Sequence, residues 1–272
     1  MIDANILAEY VDAAQEAARR AAAVLEDWRR RFSIREKGRF DLVTEADLAS
    51  QKAIYAFLGK RYPQHEFLGE EDGTGHRRPD LDAPPTWIID PLDGTTNYVH
   101  DVPFYCVSIG LQIAGELVVG IVFEPSRQEM FKAARGQGAW LNEQRISTSR
   151  IDRLDQALLT TGFPADMRGK EKLLEWWHYF GVRVHGLRRT GSTALNLAYL
   201  ACGRFDGYWA FDNHVWDVAG GVVLVHEAGG TITNADGSAF DPYTPDAVAS
   251  NGALQSILLD CFRQNPGRPG AP

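Results

Sequence analysis

The sequence predicts a layered α/β protein, and three observations lead to that prediction. Segments with apolar residues at helical spacing alternate with short apolar runs typical of strands along the 272 residues. Hydrophobic residues make up 44% of the chain and charged residues 24%, which suits a large globular core. No low-complexity linker or internal repeat divides the chain. Sheets covered by helices on both faces are the architecture that this alternation favours.

The first half opens with a helix and leads into a meander. Apolar residues from Ile6 to Val24 recur at helical spacing and predict an amphipathic helix. The stretch "REKGRFDLVT" predicts a loop or short hairpin, and a second helix is expected from Thr44. The residues expected on its inner face are Leu48, Ile54, Phe57 and Leu58. A loop over 73–86 leads to a short buried strand at Trp87–Ile89, and three β segments then predict an antiparallel meander.

The second half alternates strands and helices. "DQALLTTGF" and "FDGYWAF" predict strands, while "EKLLEWWHYFG" and "STALNLAYLACG" predict helices. A helix over 217–228 is expected to stop at a Gly-Gly pair, followed by strands "GTITN" and "DAVAS" and a last helix from Gly252. The expected organisation is one domain over 1–265, with halves of about 1–150 and 151–265, and a disordered tail over 266–272.

Charge and cysteine content narrow the class of function. Lys and Arg number 28 and Asp and Glu 36, so the net charge of −8 argues against a nucleic acid as the main partner. Cys106, Cys202 and Cys261 are widely spaced and indicate buried thiols in a reducing compartment. The N-terminal segment carries acidic residues unlike a signal peptide, and no apolar run is long enough to span a membrane. We therefore expect a cytoplasmic protein.

The stretch "WIIDPLDGTTNYVH" places two carboxylates at the end of a strand. Asp90 and Asp93 flank Pro91, which stiffens the turn, and Gly94 allows the backbone to approach a ligand closely. Two carboxylates in a rigid turn repel each other unless a cation lies between them or one is protonated. Carboxylate and carbonyl oxygens are the ligands that Mg²⁺ prefers. A plain turn with Asp90 as a strand-end cap is the alternative.

Two further acidic segments strengthen the metal interpretation. "GEED" places Glu70 in an acidic cluster, although acidic runs are usually solvated surface. Asp217 lies near the start of the 217–228 helix, where it could serve only as an N-cap. Each group has a simple structural explanation, but acidic groups from three segments together predict a multi-metal carboxylate site.

These motifs resemble the inositol monophosphatase family of Mg²⁺-dependent, lithium-sensitive phosphomonoesterases. The matching segments are "DLVTEAD", "GEED", "WIIDPLDGTTNYVH", "GSTALNLAYLACGRFDGYW" and "WDVAGGVVLVHEAGG", over roughly residues 40 to 252. The resemblance implies a five-layer α-β-α-β-α sandwich, usually a homodimer. It also implies two or three Mg²⁺ per site and a small phosphorylated substrate hydrolysed by metal-activated water.

The resemblance also implies the site residues. The implied metal ligands are Glu70, Asp90, the Leu92 carbonyl, Asp93 and Asp217. The implied catalytic residues are Glu70, beside the metal nearest the attacking water, and Asp47 and Thr95, which would orient that water. The implied substrate contacts are Gly94 and Thr95, whose amides would hold phosphate, and Gly191, Ser192, Thr193 and Asp217.

Asp47, Thr95 and a further residue, Lys37, each have a competing structural explanation. Thr44 and Asp47 have the spacing of a capping box, so Asp47 could simply start a helix. Thr95 could be an N-cap, which is compatible with orienting water. Lys37 could help a weaker third metal or shield phosphate, or be a plain solvated lysine. Asn196 and His214 are interpreted as structural.

The alcohol side departs from the family pattern. Ala210 stands where relatives acting on inositol phosphates carry Glu, and Phe163 replaces a small polar residue. Asp212 replaces the missing carboxylate only if it shares a strand face with Ala210. Inositol 1-phosphate or a similar polyol or sugar phosphate is therefore the expected substrate, with histidinol phosphate, fructose bisphosphate or a 3′-phosphoadenosine nucleotide as alternatives. For a bisphosphate, Arg188 and Arg189 are candidate contacts.

Two other classes of protein fit less well. A haloacid-dehalogenase-type phosphatase needs an aspartyl nucleophile at the position of Pro91, so "DPLDGT" excludes that chemistry. A non-catalytic binding relative would be expected to have lost part of the acidic set, and here the set is complete.

Overall fold

The computed structural model describes residues 2–29, 31, 33–38, 41–73, 78–244 and 246–264. The helices are α1 (Ala4–Trp28), α2 (Glu45–Arg61), α3 (Thr95–Val99), α4 (Lys172–Gly181), α5 (Thr193–Ala201), α6 (Val215–Glu227) and α7 (Gln255–Gln264). The strands of the first half are β1 (Ile34–Gly38), β2 (Asp41–Thr44), β3 (Glu66–Gly69), β4 (Thr86–Asp93), β5 (Cys106–Ile113), β6 (Glu116–Glu124), β7 (Glu129–Ala134), β8 (Ala139–Leu141) and β9 (Gln144–Ile146). Those of the second half are β10 (Leu158–Thr161), β11 (Gly186–Arg188), β12 (Gly207–Ala210), β13 (Thr231–Thr233) and β14 (Ala247–Ser250). Single 3-10 turns cover Glu70–Asp72 and Leu154–Gln156.

The larger sheet has seven strands in the order β3-β4-β5-β6-β7-β8-β9. Strands β3 and β4 are parallel, and every other neighbouring pair is antiparallel. The expected meander forms β5 to β7, and the strand expected at Trp87–Ile89 extends to Asp93. Its pairing with β5 is irregular between Asp90 and Asp93, a bulge of the kind that re-aims side chains beside active sites.

The smaller sheet has five strands in the order β11-β10-β12-β14-β13. Strand β10 runs parallel to β11 and β12, whereas β14 pairs antiparallel with β12 and β13. A separate antiparallel hairpin of β1 and β2 confirms the hairpin alternative for "REKGRFDLVT".

Helices separate and cover the two sheets. Helices α1 and α2 pack together on one face of the seven-stranded sheet, and α5 and α6 lie on its other face. The smaller sheet packs against α5 and α6, and its strands β11 and β14 contact α4 and α7, respectively. The predicted α-β-α-β-α arrangement of five layers is therefore confirmed.

Glycines bring α6 unusually close to the larger sheet. A Cβ added to Gly120 of β6 would lie 2.2 Å from the Gly220 carbonyl oxygen. A Cβ on Gly220 would in turn lie 2.8 Å from the Ile121 carbonyl oxygen. This backbone-to-backbone packing positions the first turn of α6, and with it Asp217, over the strand ends of the sheet.

Several expectations for single elements need correction or fall outside the described residues. Leu48 is 48% exposed instead of turned inward, because the buried stripe of α2 runs through Asp47, Ser50, Ile54 and Leu58. Strands β3, β8, β9 and β11 were not predicted, since three or four residues show no clear period. The predicted disordered tail and positions 74–77 of the 73–86 loop lie outside the described residues, as does the side chain of Lys37.

The expectation of buried thiols holds for two of the three cysteines. Cys106, Cys202 and Cys261 are all free thiols, and Cys106 and Cys261 are buried, whereas Cys202 is half-buried. None of the described helices combines the length and apolar character needed to cross a bilayer.

Candidate active site

Asp90 and Glu70 each follow the last paired residue of two parallel strands, β4 and β3. The register pairs Gly69 of β3 with Ile89 of β4, so the next residue of each strand carries a carboxylate at the same sheet edge. Asp90 is 2% exposed, and its Oδ1 accepts a hydrogen bond of 3.0 Å from the Leu92 amide. Burial, a hydrogen bond to Glu70 and the charges of Glu70, Asp93 and Asp217 raise the pKa of Asp90 well above its ordinary value.

The turn that carries Glu70 is fixed to α2 through Asp72. The Asp72 carboxylate accepts hydrogen bonds from Gln51 Nε2 at 2.9 Å, from the Tyr55 hydroxyl at 2.5 Å and from the Gly69 amide at 2.9 Å. A Cβ on Gly69 would lie 2.3 Å from Gln51 Oε1 and 2.5 Å from the Tyr55 hydroxyl, so a larger residue would have to displace the two side chains that hold Asp72. The acidic segment "GEED" is thus an anchored turn instead of a freely solvated run.

Asp217 reaches the same region from α6. It is the third residue of that helix, and its Oδ2 accepts a hydrogen bond of 2.7 Å from the amide of His214, the N-cap residue. The N-cap alternative for Asp217 is therefore wrong in position, because the helix begins two residues earlier. Burial and the charges of Asp93 and Glu70 raise the pKa of Asp217 well above its ordinary value.

Asp93 is held from the opposite half of the chain. Its Oδ2 accepts hydrogen bonds of 2.6 Å from Ser192 Oγ and 2.6 Å from the Ala194 amide at the start of α5. Burial raises the pKa of Asp93, bonds from Ser192, Ala194 and the Thr193 amide lower it, and the Glu70 charge raises it again, to a value of about 6.

Glu70, Asp90, Asp93 and Asp217 therefore form a cluster of negatively charged groups that are buried or half-buried and that repel one another. Within the described part of the chain, no three His, Cys, Asp or Glu side chains are already drawn together as a finished metal site. Burial nevertheless raises the pKa values of Asp90, Asp93 and Asp217, and the charge of Glu70 contributes to each of these shifts. An all-oxygen set of carboxylates suits Mg²⁺, and a divalent cation would offset the repulsion. The residues present fit that metal.

The Leu92 carbonyl and Thr95 complete this edge of the cluster. Gly94, with φ of +95°, is the residue before α3, and Thr95 is the first residue of that helix. A Cβ on Gly94 would lie 3.0 Å from the Phe104 carbonyl oxygen, so the turn requires glycine. Thr95 is not an N-cap as the alternative held; its Oγ1 lies 3.1 Å from the Leu92 carbonyl oxygen and 3.2 Å from Asp47 Oδ1.

Asp47 serves the capping box and also faces the cluster. Its Oδ2 accepts hydrogen bonds from the Thr44 amide at 2.8 Å and from Thr44 Oγ1 at 2.6 Å, which makes the expected capping box. Its other oxygen, Oδ1, accepts the Thr95 hydroxyl. The two explanations for Asp47 use different oxygen atoms and are therefore compatible.

The residues predicted for the alcohol side lie at the ends of strands and in loops. Ala210 is the last residue of β12 and is buried, and a Cβ on Gly162 would lie 3.3 Å from the Ala210 Cβ. Asp212 lies beyond the strand end and forms an ion pair of 2.8 Å with Lys170. The condition for Asp212 to replace the missing carboxylate, a shared strand face, is therefore not met.

Phe163 and the two arginines lie at the rim of this side. The Phe163 ring contacts that of Trp177 at a centroid distance of 5.9 Å. Arg189 Nη1 lies 3.1 Å from the position of a Cβ on Gly191, and Arg189 Nη2 is 3.4 Å from the Phe163 carbonyl oxygen. Arg188 instead folds back onto its own strand, donating to the Leu187 carbonyl at 3.1 Å. The structure thus separates the two arginines.

Some supporting residues were missed or assigned only a structural role. Ser50 Oγ donates to the Pro91 carbonyl at 2.9 Å, and Asn97 Nδ2 donates to the Thr190 carbonyl at 2.9 Å. Cys106 Sγ lies 3.9 Å from Asp93 Oδ2. Asn196 Oδ1 accepts hydrogen bonds from Thr160 and Thr190, which agrees with its structural interpretation. Among these supporting residues, the sequence offered a signal only for Asn97, which directly follows the motif "DGTT".

The chain is similar along its length to known proteins. Residues 6–266 match the model of the inositol monophosphatase family. The inositol-1-monophosphatase of Synechocystis is 41% identical over 263 residues, 96% of this chain and 91% of that protein. Nus factor SuhB of Pseudomonas aeruginosa is 42% identical over 235 residues, 84% of this chain and 85% of that protein.

Solved structures agree with this similarity. The extragenic suppressor protein SuhB from Bartonella henselae superposes with a TM-score of 0.87 at 34% identity, covering 94% of this chain and 99% of that one. Sequence, fold and acidic cluster lead to the same conclusion: the chain belongs to the inositol monophosphatase family and is a phosphoric monoester hydrolase.

Proposed function

We propose that this enzyme is a Mg²⁺-dependent phosphomonoesterase that hydrolyses a small phosphorylated alcohol. The observation that carries the proposal is the cluster of buried and half-buried carboxylates at the ends of β3, β4 and the start of α6. The proposed ligands of two or three Mg²⁺ ions are Glu70, Asp90, the Leu92 carbonyl, Asp93 and Asp217. When bound, Mg²⁺ neutralises phosphate charge and lowers the pKa of water.

The chain's own residues position the reactants. The Thr95 hydroxyl has one proton to donate, to Asp47 or to the Leu92 carbonyl, which leaves its lone pairs to accept from the attacking water. If the proton goes to Asp47, Asp47 fixes the direction of the Thr95 hydroxyl, and Glu70 would hold the metal nearest the same water. The Gly94 and Thr95 amides, at the turn into α3, are proposed to bind the phosphate oxygens, and Gly191, Ser192 and Thr193 to line the alcohol half.

The first candidate substrate is inositol 1-phosphate or a similar polyol or sugar phosphate. The names of the curated relatives support it, and a relative 25% identical over 94% of this chain was solved with inositol monophosphate bound. Ala210 and Phe163 argue against inositol phosphate as the substrate. A site that binds a sugar hydroxyl loses discrimination when the side chain that bonds the hydroxyl is missing. A non-catalytic role is disfavoured by the complete acidic set.

A second candidate substrate carries another anionic group, as in a sugar bisphosphate or a phosphoadenosine nucleotide. The observation that favours it is the Arg189 guanidinium beside Gly191 on the alcohol side. Arg188 offers a matched control, since it lies next in sequence but folds onto its own strand. If a second anion is recognised, Arg189→Gln lowers kcat/KM for such esters and leaves monophosphates unchanged, whereas Arg188→Gln changes neither.

A phosphate-release assay tests the proposal. Inositol 1-phosphate, histidinol phosphate, fructose bisphosphate and 3′-phosphoadenosine 5′-phosphate are supplied in turn with Mg²⁺, then with EDTA, then with Mg²⁺ and Li⁺. We expect hydrolysis that needs Mg²⁺ and that Li⁺ inhibits, and the ranking of esters identifies the substrate class. Full activity in EDTA would contradict the proposal.

The resemblance also supports a homodimer, and the three free thiols support the cytoplasm as location. Sedimentation of the purified protein tests the first point. Fractionation of cells that express the chain tests the second.

A further inference from the structure

Asp93 and Ser192 belong to different halves of the chain, 99 positions apart, and meet through a short hydrogen bond. Ser192 Oγ donates to Asp93 Oδ2 at 2.6 Å, and the same hydroxyl accepts the Leu195 amide at 3.3 Å as the N-cap of α5. The proton of the hydroxyl is thus committed to Asp93, while a lone pair serves the helix. Its side chain is 2% exposed, so little of it remains accessible to a substrate.

The segment before α5 is held in place on both sides. Asn97 Nδ2 donates to the Thr190 carbonyl at 2.9 Å and to the Phe104 carbonyl at 2.7 Å. Thr190 Oγ1 donates to Asn196 Oδ1 at 2.6 Å. These bonds tie the segment to α3 on one side and to α5 on the other, so the direction of the Ser192 hydroxyl is fixed.

Asp93 Oδ2 receives hydrogen bonds from Ser192 Oγ and from the Ala194 amide. Two donors on one carboxylate oxygen favour the second oxygen, Oδ1, as the atom that Asp93 offers to a cation. Side chains and amides that orient a ligand in this way commonly control metal affinity as strongly as the ligand itself.

We propose that Ser192 is a positioning residue that orients Asp93 toward Mg²⁺, and that its hydroxyl does not bind the alcohol half of the substrate. This inference rests on the proposed function. It also changes the role expected for the Gly191–Thr193 segment. Through the bond from Ser192 to Asp93, this segment connects the alcohol side of the site to one proposed metal ligand.

Three variants separate this role from helix capping. Ser192→Gly removes the hydroxyl, yet glycine is itself accepted at N-cap positions, so α5 is largely preserved. Ser192→Thr keeps a hydroxyl and is the conservative rescue. Ser149→Ala is the matched control, because Ser149 also donates a hydroxyl to an aspartate, Asp206, which lies at the opposite end of β12 from Ala210. Ser192→Ala replaces Ser192→Gly if the latter does not fold.

The measurement is Mn²⁺ binding to the metal-free proteins by calorimetry, with thermal unfolding and steady-state kinetics on at least two esters. We expect Ser192→Gly to bind Mn²⁺ about tenfold more weakly. Its loss of activity should be the same for every ester and should shrink at high Mg²⁺. Ser192→Thr and Ser149→Ala should bind Mn²⁺ like the unmodified protein.

The inference is overturned if Ser192→Gly binds Mn²⁺ as tightly as the unmodified protein. Two patterns can accompany that result: the KM of the variant rises for one ester only, or its unfolding temperature alone falls. The first pattern would indicate a direct alcohol contact, and the second a purely structural cap. An unmodified protein that takes up no Mn²⁺ would instead overturn the proposed function, and this inference with it.

Discussion

The acidic side and the alcohol side of the site are built in different ways. Three carboxylates of the acidic side accept hydrogen bonds from backbone amides: Asp90 from Leu92, Asp93 from Ala194 and Asp217 from His214. The alcohol side consists of a strand end at Ala210 and of loop residues such as Phe163 and Arg189. The comparison teaches that the acidic groups are held by the backbone of the fold, and we infer that substrate choice depends on a few individual side chains of the other side, such as Phe163 and Arg189.

Removing one carboxylate from the acidic side should have the largest effect. We expect Asp90→Asn to lower kcat by about 10³-fold or more, because charge stabilisation by a metal supplies several kcal/mol. Without metal, the same variant should unfold at a higher temperature than the unmodified protein, since one buried negative charge is removed from a repelling cluster. Asp155→Asn, at an exposed position outside the cluster, is the control for both the phosphate assay and the unfolding scan.

Asp47 distinguishes catalysis from folding within the acidic side. We expect Asp47→Asn to lower kcat about 10²-fold, the usual scale for losing a group that directs a proton or water. Thr44→Ala removes the other half of the capping box, which should cost about 1 kcal/mol of stability and little activity. If both variants lose activity in proportion to their loss of unfolding temperature, Asp47 acts only as a cap.

Ala210 is the corresponding test on the alcohol side. We expect Ala210→Glu to raise kcat/KM for inositol 1-phosphate about tenfold, because a carboxylate there restores a charged hydrogen bond to a sugar hydroxyl. Ala210→Gln, of the same size but neutral, should give a smaller gain, and an aryl phosphate without hydroxyls should give none. No change or a decrease with inositol 1-phosphate would contradict this view of the pocket.

Glu124 offers the smallest effect and a contrast with the proposed metal ligands, since it is a buried carboxylate outside that set. Burial raises its pKa, while hydrogen bonds from Tyr199 and Ser126 lower it in part. A carboxyl whose folded pKa is raised stabilises the fold at pH values below its unfolded pKa, and this stability is lost as the pH rises through the folded value.

The unfolding temperature of Glu124→Gln relative to the unmodified protein should therefore rise by roughly 2–4 °C between about pH 4 and pH 7. Mg²⁺ should not alter this difference, whereas it should reverse the order for Asp90→Asn. If Mg²⁺ changed the difference in unfolding temperature for Glu124→Gln, the proposal that Glu124 lies outside the metal site would be contradicted.

Long periodic segments made most of the fold predictable from the sequence. The meander of β5 to β7 and the helices α1 and α5 carry clear patterns, but β8, β9 and β11 have three residues each and are defined only by their neighbours. Leu48 was misplaced because a helical pattern shifted by one residue points to a different face. The arrangement of layers came from the resemblance to a family, since periodicity does not specify how two sheets stack.

The site was predictable to the extent that its residues lie in recognisable motifs. Asp90 and Asp93 share one motif, which the structure forms as the bulged end of β4. Glu70 and Asp217 were candidates from their acidic segments, and the resemblance supplied their roles as metal ligands. The bond between Ser192 and Asp93 was not predictable, because no local pattern relates residues 99 positions apart. The different surroundings of Arg188 and Arg189 likewise depend on side-chain directions at the end of β11 that spacing does not give.

The central claim is that acidic side chains from separate segments hold common divalent ions that carry out the hydrolysis. Crystals soaked in Mn²⁺ and measured near the manganese absorption edge test it most directly. The account predicts anomalous density surrounded by Glu70, Asp90, Asp93 and Asp217. A map with no anomalous peak among these four side chains, from a protein that still hydrolyses its ester, would contradict it.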